Sequence, residues 1–164
     1  RAAGGTSRFE SVKNGLETIR SMDPQASQSL IAVHDAVRPL ISPTLIDRSF
    51  EEAMRSGTAA LAVSSSNSVR LKHLDGSGNY AYPRENVYLM QTPQTFKATL
   101  LFRAYEQPED PACTDDASVV EKTGIPITLV EGDTRNIKIT FQDDLLVAER
   151  LLKRQSGGAS DDPQ

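Results

Sequence analysis

Apolar positions along this chain recur with two different periods, and the changes between them mark out its elements. Phe9, Val12, Leu16 and Ile19 fall at helical spacing, with Lys13, Glu17 and Arg20 elsewhere, and Thr6 or Ser7 stands ready as a hydroxyl cap. Four apolar residues in a row, Leu30, Ile31, Ala32 and Val33, then stop at His34-Asp35, which predicts a strand buried on both faces. Ser42-Pro43 opens a helix that carries Leu45, Ile46, Phe50, Ala53 and Met54 on one side, and Gly57 ends it. Residues 58–63 are small and apolar, a second core strand. Strand, helix and strand in that order predict a βαβ unit and a parallel sheet.

The period then shortens to two. Val69 and Leu71 alternate with Arg70 and Lys72, 75–79 is a dense turn signal, and Tyr80 and Tyr82 alternate beyond it. This predicts a hairpin over about 68–83. A two-stranded hairpin is marginal alone in water, so it leans either on its own domain or on a second copy of the chain. Residues 87–90 read as a short strand, 91–96 as an extended polar turn, and 97–106 as a helix. Thr114 reads as the cap of a short helix with Asp115 and Asp116 in its first turn, closed by Gly124. A strand over 125–130 has Pro126 near its start. Residues 136–140 alternate, with Ile137 and Ile139 inward and Lys138 on the opposite side. A last helix over 142–154 is expected to bury Leu145, Leu146, Ala148, Leu151 and Leu152. The fold class is therefore α/β: residues 1–154 belong to one domain, with a projecting arm at about 68–84, and 155–164 form a disordered tail.

Composition narrows the function. A length of 164 residues is enough for one domain with a core, and 38% hydrophobic with 24% charged residues is ordinary for a globular chain. The formal net charge is −4 and no basic block stands out, which argues against nucleic acid as the main partner. An anionic ligand must then be met by individually placed Arg and Lys. Cys113 is alone, so no internal disulfide or cysteine-based zinc cluster forms, and a reducing compartment suits the chain. No apolar run approaches the roughly 18–20 residues of a membrane span. Arg1 followed by Ala2-Ala3-Gly4-Gly5 looks like the middle of a loop, so the chain reads as a piece of a longer protein.

Candidate chemistry gathers at the end of the first strand. In open α/β sheets ligands bind at the carboxyl ends of strands, which places Asp35 and Arg38 where a polar ligand is held. A carboxylate there can take hydroxyls or the waters of a metal, and a guanidinium can fork onto a phosphate. Equally, Asp35 can cap a turn and Arg38 can pair with a surface carboxylate. Gly4-Gly5 before a helix lets backbone N–H groups approach a ligand, or is a plain turn. Lys138 by itself reads as a solvated lysine.

Taken together, five stretches resemble one family. They are Gly4-Gly5-x-x-Arg8-x-x-Ser11-Val12-x-x-Gly15-Leu16, then His34-Asp35-Ala36-Val37-Arg38-Pro39, Gln91-Thr92-Pro93-Gln94, Thr114-Asp115-Asp116-Ala117-Ser118, and Val130-Glu131-Gly132-x-x-x-Asn136-Ile137-Lys138. The family is 2-C-methyl-D-erythritol 4-phosphate cytidylyltransferase, of the non-mevalonate route to isoprenoids. The resemblance implies a Rossmann-like nucleotidyltransferase fold with a mainly parallel sheet, a homodimer joined through the arm, and cytidylyl transfer from CTP with Mg2+. It implies catalytic roles for Lys138 and Asp35, with Asp35 also at the metal. Gly5, Arg8, Ser11, Asp35, Ala36 and Lys138 match positions that hold CTP. Arg38, Thr92 and Thr114 match positions near the acceptor, and Ser68 and Arg84 match positions on the arm that reach a neighbouring subunit. Cytoplasm, or the plastid stroma of a plant or alga, is the implied place. The family's glycine-rich phosphate loop, with its arginine and lysine, has no match in this sequence, so the chain read alone is expected to fold poorly or be inactive. Ser68 stands where threonine is usual and Asp116 where glutamate is common. A ribitol-5-phosphate cytidylyltransferase, a sugar-nucleotide transferase using UTP or GTP, and an inactive dimerising or binding module are the competing readings.

Overall fold

The computed structural model describes residues 1–156; of the tail expected over 155–164, residues 155 and 156 instead continue the last helix, and 157–164 lie outside the described residues. Helices α1 (Arg8–Met22), α2 (Pro43–Ser56), α3 (Ala98–Ala104), α4 (Asp116–Glu121) and α5 (Gln142–Ser156) accompany strands β1 (Leu30–Val33), β2 (Thr58–Ser64), β3 (Val69–Lys72), β4 (Asn79–Tyr82), β5 (Tyr88–Lys97) and β6 (Leu129–Glu131). Local chemistry sets several boundaries. The Ser7 side chain caps α1 by accepting from the Glu10 N–H, and the Ser42 hydroxyl caps α2 with Pro43 in its first turn. Gly57 closes α2 with φ at 94°, a left-handed conformation that glycine adopts without a Cβ clash. The cap of α4 is Asp115 rather than Thr114. Its carboxylate accepts from the Ser118 N–H while the Ser118 hydroxyl receives the Asp115 N–H, a capping box that threonine one residue earlier cannot reach.

The main sheet has the order β1-β5-β2-β6 and is mixed, which corrects the expectation of a mainly parallel sheet. β1 and β2 do run in the same direction, as the crossover through α2 requires. They are not neighbours, however: β5 lies between them, antiparallel to both, and only β2 with β6 is a parallel pair. The cause is β5 itself. Its polar run over 91–96 looks like a turn, yet it continues the strand and is buried throughout. Pro93 is tolerated because of where it falls. Pairing with β1 begins at Gln94, and pairing with β2 is irregular between Ala60 and Ala62, so no regular ladder bond needs a proline N–H there. The Thr92-Pro93 peptide is cis.

Helices cover both faces. Leu16, Phe96, Leu101, Phe102, Tyr105, Val119 and Val120 form the larger core under α1, α3 and α4, while Leu45, Ala53, Ala59, Leu61 and Val130 form the smaller one under α2. Ser49 and Thr95, both fully buried, hydrogen-bond each other between α2 and β5. Met54, expected inside, is 68% exposed, because Ser49 and Ala53 take the sheet-facing positions of α2. Ser49→Ala leaves the Thr95 hydroxyl buried without this partner and is expected to cost about 1–3 kcal/mol. Urea unfolding checks this. Adding Thr95→Val to Ser49→Ala is expected to recover most of the loss, since both polar groups are then gone.

Further expectations change. β1, expected to be buried on both faces, lies at the edge of the described sheet and each of its residues is only partly buried. The strand expected over 125–130 is confined to Leu129–Glu131. Residues 136–140 form no strand; 133–136 is a turn closed by the Asn136 N–H on the Asp133 carbonyl, and the Ile139 N–H reaches the Val37 carbonyl at 2.8 Å. α5 buries Ala148 but leaves Leu145, Leu146 and Leu152, expected inside, between 47% and 67% exposed. The hairpin β3–β4 forms as expected. Every residue of its strands except Val69 is exposed, so the arm does not lie on its own domain.

Candidate active site

The carboxyl end of β1 delivers a charged cluster. Asp35 Oδ2 lies 3.2 Å from Lys138 Nζ and 3.5 Å from Arg38 Nε. The Arg38 guanidinium is mostly buried and is anchored by Nη1 donating to the Asn136 carbonyl at 2.8 Å and Nη2 to the Met90 carbonyl at 3.4 Å. Lys138 stays half exposed at 51%. Two cations around one carboxylate leave a local excess of positive charge beside an accessible ammonium, an arrangement that receives an anion such as phosphate. Arg135, in the same loop, is committed to Asp133 through charged hydrogen bonds that hold the Asp133 carboxyl below its usual range.

Buried side chains hold this cluster from behind. The Asp35 N–H donates to Thr92 Oγ1 at 3.0 Å, and Thr92 Oγ1 lies 3.0 Å from His34 Nδ1. His34 Nε2 reaches the Arg38 carbonyl at 3.0 Å. Asn136 is 1% exposed and donates to the Thr92 carbonyl at 2.9 Å. Simple alternation puts Asn136 and Lys138 on the same outward side; the turn over 133–136 instead buries the first and exposes the second.

At the start of α1, the Gly5 N–H donates to Ser11 Oγ at 2.9 Å. A Cβ on Gly5 would lie 2.2 Å from that of Glu10, so no larger residue fits this approach. Arg8 is bound in a fork to Asp116, which is fully buried and also accepts the Tyr105 hydroxyl at 2.5 Å. Burial opposes the Arg8 charge, but Asp116 outweighs it and holds the guanidinium above its ordinary value. Asp35 acts on Arg8 in the same direction, which places the two clusters within electrostatic reach. Tyr105 is pushed up by burial and then by the Asp116 charge.

The structure thus brings Asp35, Arg38, Thr92 and Lys138 together, with Arg8 within electrostatic reach of Asp35 and Gly5 and Ser11 joined to each other at the start of α1. Ala36 is exposed in the turn that follows Asp35, and Thr114 is exposed just before α4. Ser68 and Arg84 sit at the two roots of the arm, where Arg84 Nη1 donates to the Ser66 carbonyl at 3.1 Å. Among the described residues no hydrogen bond or ion pair links them to Asp35 or Lys138. Gln91, Gln94 and Asn136 escaped sequence reasoning as site residues. Their sequence signal was their place in two of the motif stretches, which by itself assigned them no role.

A cavity of about 700 Å³ near Gly5 is lined by Glu10, Glu17 and Glu109 against Lys13 alone. That balance repels a polyanion, so the Asp35–Arg38–Lys138 cluster is the better seat for phosphate. Among the described residues no three His, Cys, Asp or Glu side chains converge as a metal cage. One hard carboxylate, Asp35, still suits Mg2+, which takes one or two carboxylates and fills its shell with waters and substrate phosphates. No helix among the described residues is long and apolar enough to cross a membrane.

Residues 2–154 match the family model for 2-C-methyl-D-erythritol 4-phosphate cytidylyltransferase. The chain is 40% identical over 157 residues to the 2-C-methyl-D-erythritol 4-phosphate cytidylyltransferase of Syntrophus aciditrophicus, covering 94% of this chain and 65% of that protein. It is 46% identical over 151 residues to that of Bacteroides fragilis, covering 92% of this chain and 65% of that protein. Among solved structures it resembles the Thermus thermophilus enzyme of that name, at 36% identity and a TM-score of 0.75, over 92% of this chain and 71% of that one. It also resembles the 4-diphosphocytidyl-2C-methyl-D-erythritol synthase of Anaerococcus prevotii, at 30% identity and a TM-score of 0.79, over 92% and 66%. The chain therefore spans about two thirds of the length of the relatives it matches.

Proposed function

The chain belongs to the 2-C-methyl-D-erythritol 4-phosphate cytidylyltransferase family, and from that premise we propose that the whole protein transfers the cytidylyl group of CTP to 2-C-methyl-D-erythritol 4-phosphate. The observation that carries this is the Asp35 carboxylate held between Arg38 and Lys138 at the end of β1. An oxygen of the acceptor phosphate attacks the α-phosphorus of CTP. The bond from that phosphorus to the oxygen bridging to the β-phosphate breaks, and pyrophosphate leaves. The protein needs no covalent nucleophile for this; it positions the two phosphates and neutralises the charge that builds between them.

In this reading the Lys138 ammonium binds the phosphates and stabilises the transition state. Asp35 orients Lys138 and lies beside the CTP ribose, and it is the one carboxylate that would hold Mg2+. Bound there, the ion would supply further neutralisation of the triphosphate. Gly5, Arg8, Ser11 and Ala36 line the cytidine end. Arg38, Thr92 and Thr114 lie toward the acceptor. The lone thiol of Cys113 accords with the reducing cytoplasm or a plastid stroma as the place of reaction.

The exposed arm supports a homodimer in which Ser68 and Arg84 serve the partner's site. Arg84→Ala is expected to raise the KM for the acceptor about tenfold and the KM for CTP little, as loss of one charged hydrogen bond does. At limiting acceptor, mixing Arg84→Ala with Lys138→Ala chains is expected to restore turnover above that of either variant. Each mixed dimer then holds one site with both groups intact. No restoration counts against the shared site.

The deciding assay is pyrophosphate release from CTP and Mg2+, with methylerythritol phosphate and ribitol phosphate side by side. It is run on this chain and on a form extended to the length of its relatives. Release with methylerythritol phosphate supports the proposal. Release with ribitol phosphate alone, or with neither acceptor in either form, rejects it.

A further inference from the structure

Gln91, Thr92 and Gln94 stand within four residues of the central strand, and each is nearly buried, at 7%, 5% and 1% exposed. Buried polar side chains in a central strand need a reason. Here each one reaches a different loop. Thr92 Oγ1 accepts the Asp35 N–H at 3.0 Å, in the loop that carries Asp35 and Arg38. Gln91 Nε2 donates to the Asp133 carbonyl at 2.9 Å and its Oε1 accepts the Asp133 N–H at 3.3 Å, in the loop that leads to Lys138. Gln94 Oε1 accepts the Ala117 N–H at 2.8 Å and its Nε2 donates to Asp115 Oδ2 at 2.7 Å, just beyond Thr114.

We propose that Gln91, Thr92 and Gln94 are positioning residues, each fixing one of the three loops that carry Lys138, Asp35 with Arg38, and Thr114, so that β5 sets the mutual placement of these three loops. The proposal rests on reading those loops as the cytidylyl-transfer site. The Thr92 hydroxyl has one hydrogen. With the Asp35 N–H donating to its oxygen, that hydrogen goes to His34 Nδ1. The imidazole proton then sits on Nε2 and is given to the Arg38 carbonyl. Thr92 therefore ties both ends of the His34–Arg38 turn and acts on substrate through Asp35. Around Gln91 the fit is close: a Cβ on Gly132 would lie 2.4 Å from Gln91 Oε1 and 3.2 Å from the Ala62 carbonyl oxygen, so a larger residue there displaces the Gln91 amide. Asn136 adds a second tie by donating to the Thr92 carbonyl, the residue next to Gln91. In β5 these side chains share one rigid element, which is what a site assembled from distant loops requires.

Each residue receives one backbone amide, so amide hydrogen exchange by NMR reads each tie separately and without turnover. Thr92→Val is expected to speed exchange of the Asp35 amide about five- to tenfold while the Ala117 and Asp133 amides hold. Gln94→Met is expected to do so at Ala117 alone, and Gln91→Met at Asp133 alone. Thr92→Ser retains the hydroxyl and is expected to keep Asp35 slow. Equal acceleration at all three amides in every variant, or at none, overturns the proposal. The kinetic arm uses a form that releases pyrophosphate: Gln91→Met is expected to lower kcat at unchanged acceptor KM, and Gln94→Met to raise acceptor KM at unchanged kcat. The same change in both parameters for both variants also overturns it. Lack of turnover in the unsubstituted protein rejects the functional reading instead, and the amide pattern still decides the positioning.

Discussion

Lys138→Ala is expected to slow pyrophosphate release by about 10²–10³-fold, the loss seen when one preorganised donor to a developing negative charge is removed. The ammonium is half exposed and its described partner is Asp35 at 3.2 Å, so truncation leaves both cores intact. Arg38 remains beside Asp35, which keeps the carboxylate compensated and the turn in place. Stability in urea is therefore expected to stay near that of the parent while kcat falls. Lys138→Arg keeps the charge but replaces a compact ammonium by a planar fork, and it is expected to recover only part of the rate. Turnover of Lys138→Ala at the parent rate removes the catalytic role assigned to this residue.

The largest effect on stability is expected at Phe96. Its side chain is fully buried in the larger core, and its residue pairs with Ile31 on one side and Thr58 on the other. Phe96→Ala removes most of a ring from the middle of the sheet and leaves a cavity that β5, held on both edges, cannot close. The expected cost is about 3–5 kcal/mol. A drop in the urea midpoint with an unchanged slope checks it, since the same surface is exposed on unfolding. A cost below about 1 kcal/mol contradicts the packing described for this face.

Both predictions depend on β5, the element that the sequence pattern concealed. Its first residues were recognisable as a strand, but 91–96 combine amides, hydroxyls and a proline, which is the composition of a turn. What makes them a strand is that each polar group meets a specific partner: Thr95 meets Ser49, Gln94 meets Ala117, and Gln91 meets Asp133. Those partners are 23–46 residues away, and no local period encodes them. The same holds for Arg8, whose carboxylate partner is 108 residues distant. The site residues Asp35, Arg38 and Lys138 were legible because they stand in short motifs. Their meeting at one point was not, because it is made by the turn at 133–136 and by side chains reaching from β5.

By itself the sequence determined those features whose energetics close within a few residues. These are the helical stripe and hydroxyl cap of α1, the Ser42-Pro43 start and Gly57 stop of α2, the hairpin turned at 75–79, and the family motifs. Only the tertiary structure decided the order of strands, the mixed sheet, the burial of Asn136 and the three ties from β5. A cap or a turn is settled by neighbours along the chain. The place of a buried amide is settled by whichever distant donor or acceptor can satisfy it once water is excluded, and that depends on the assembled fold.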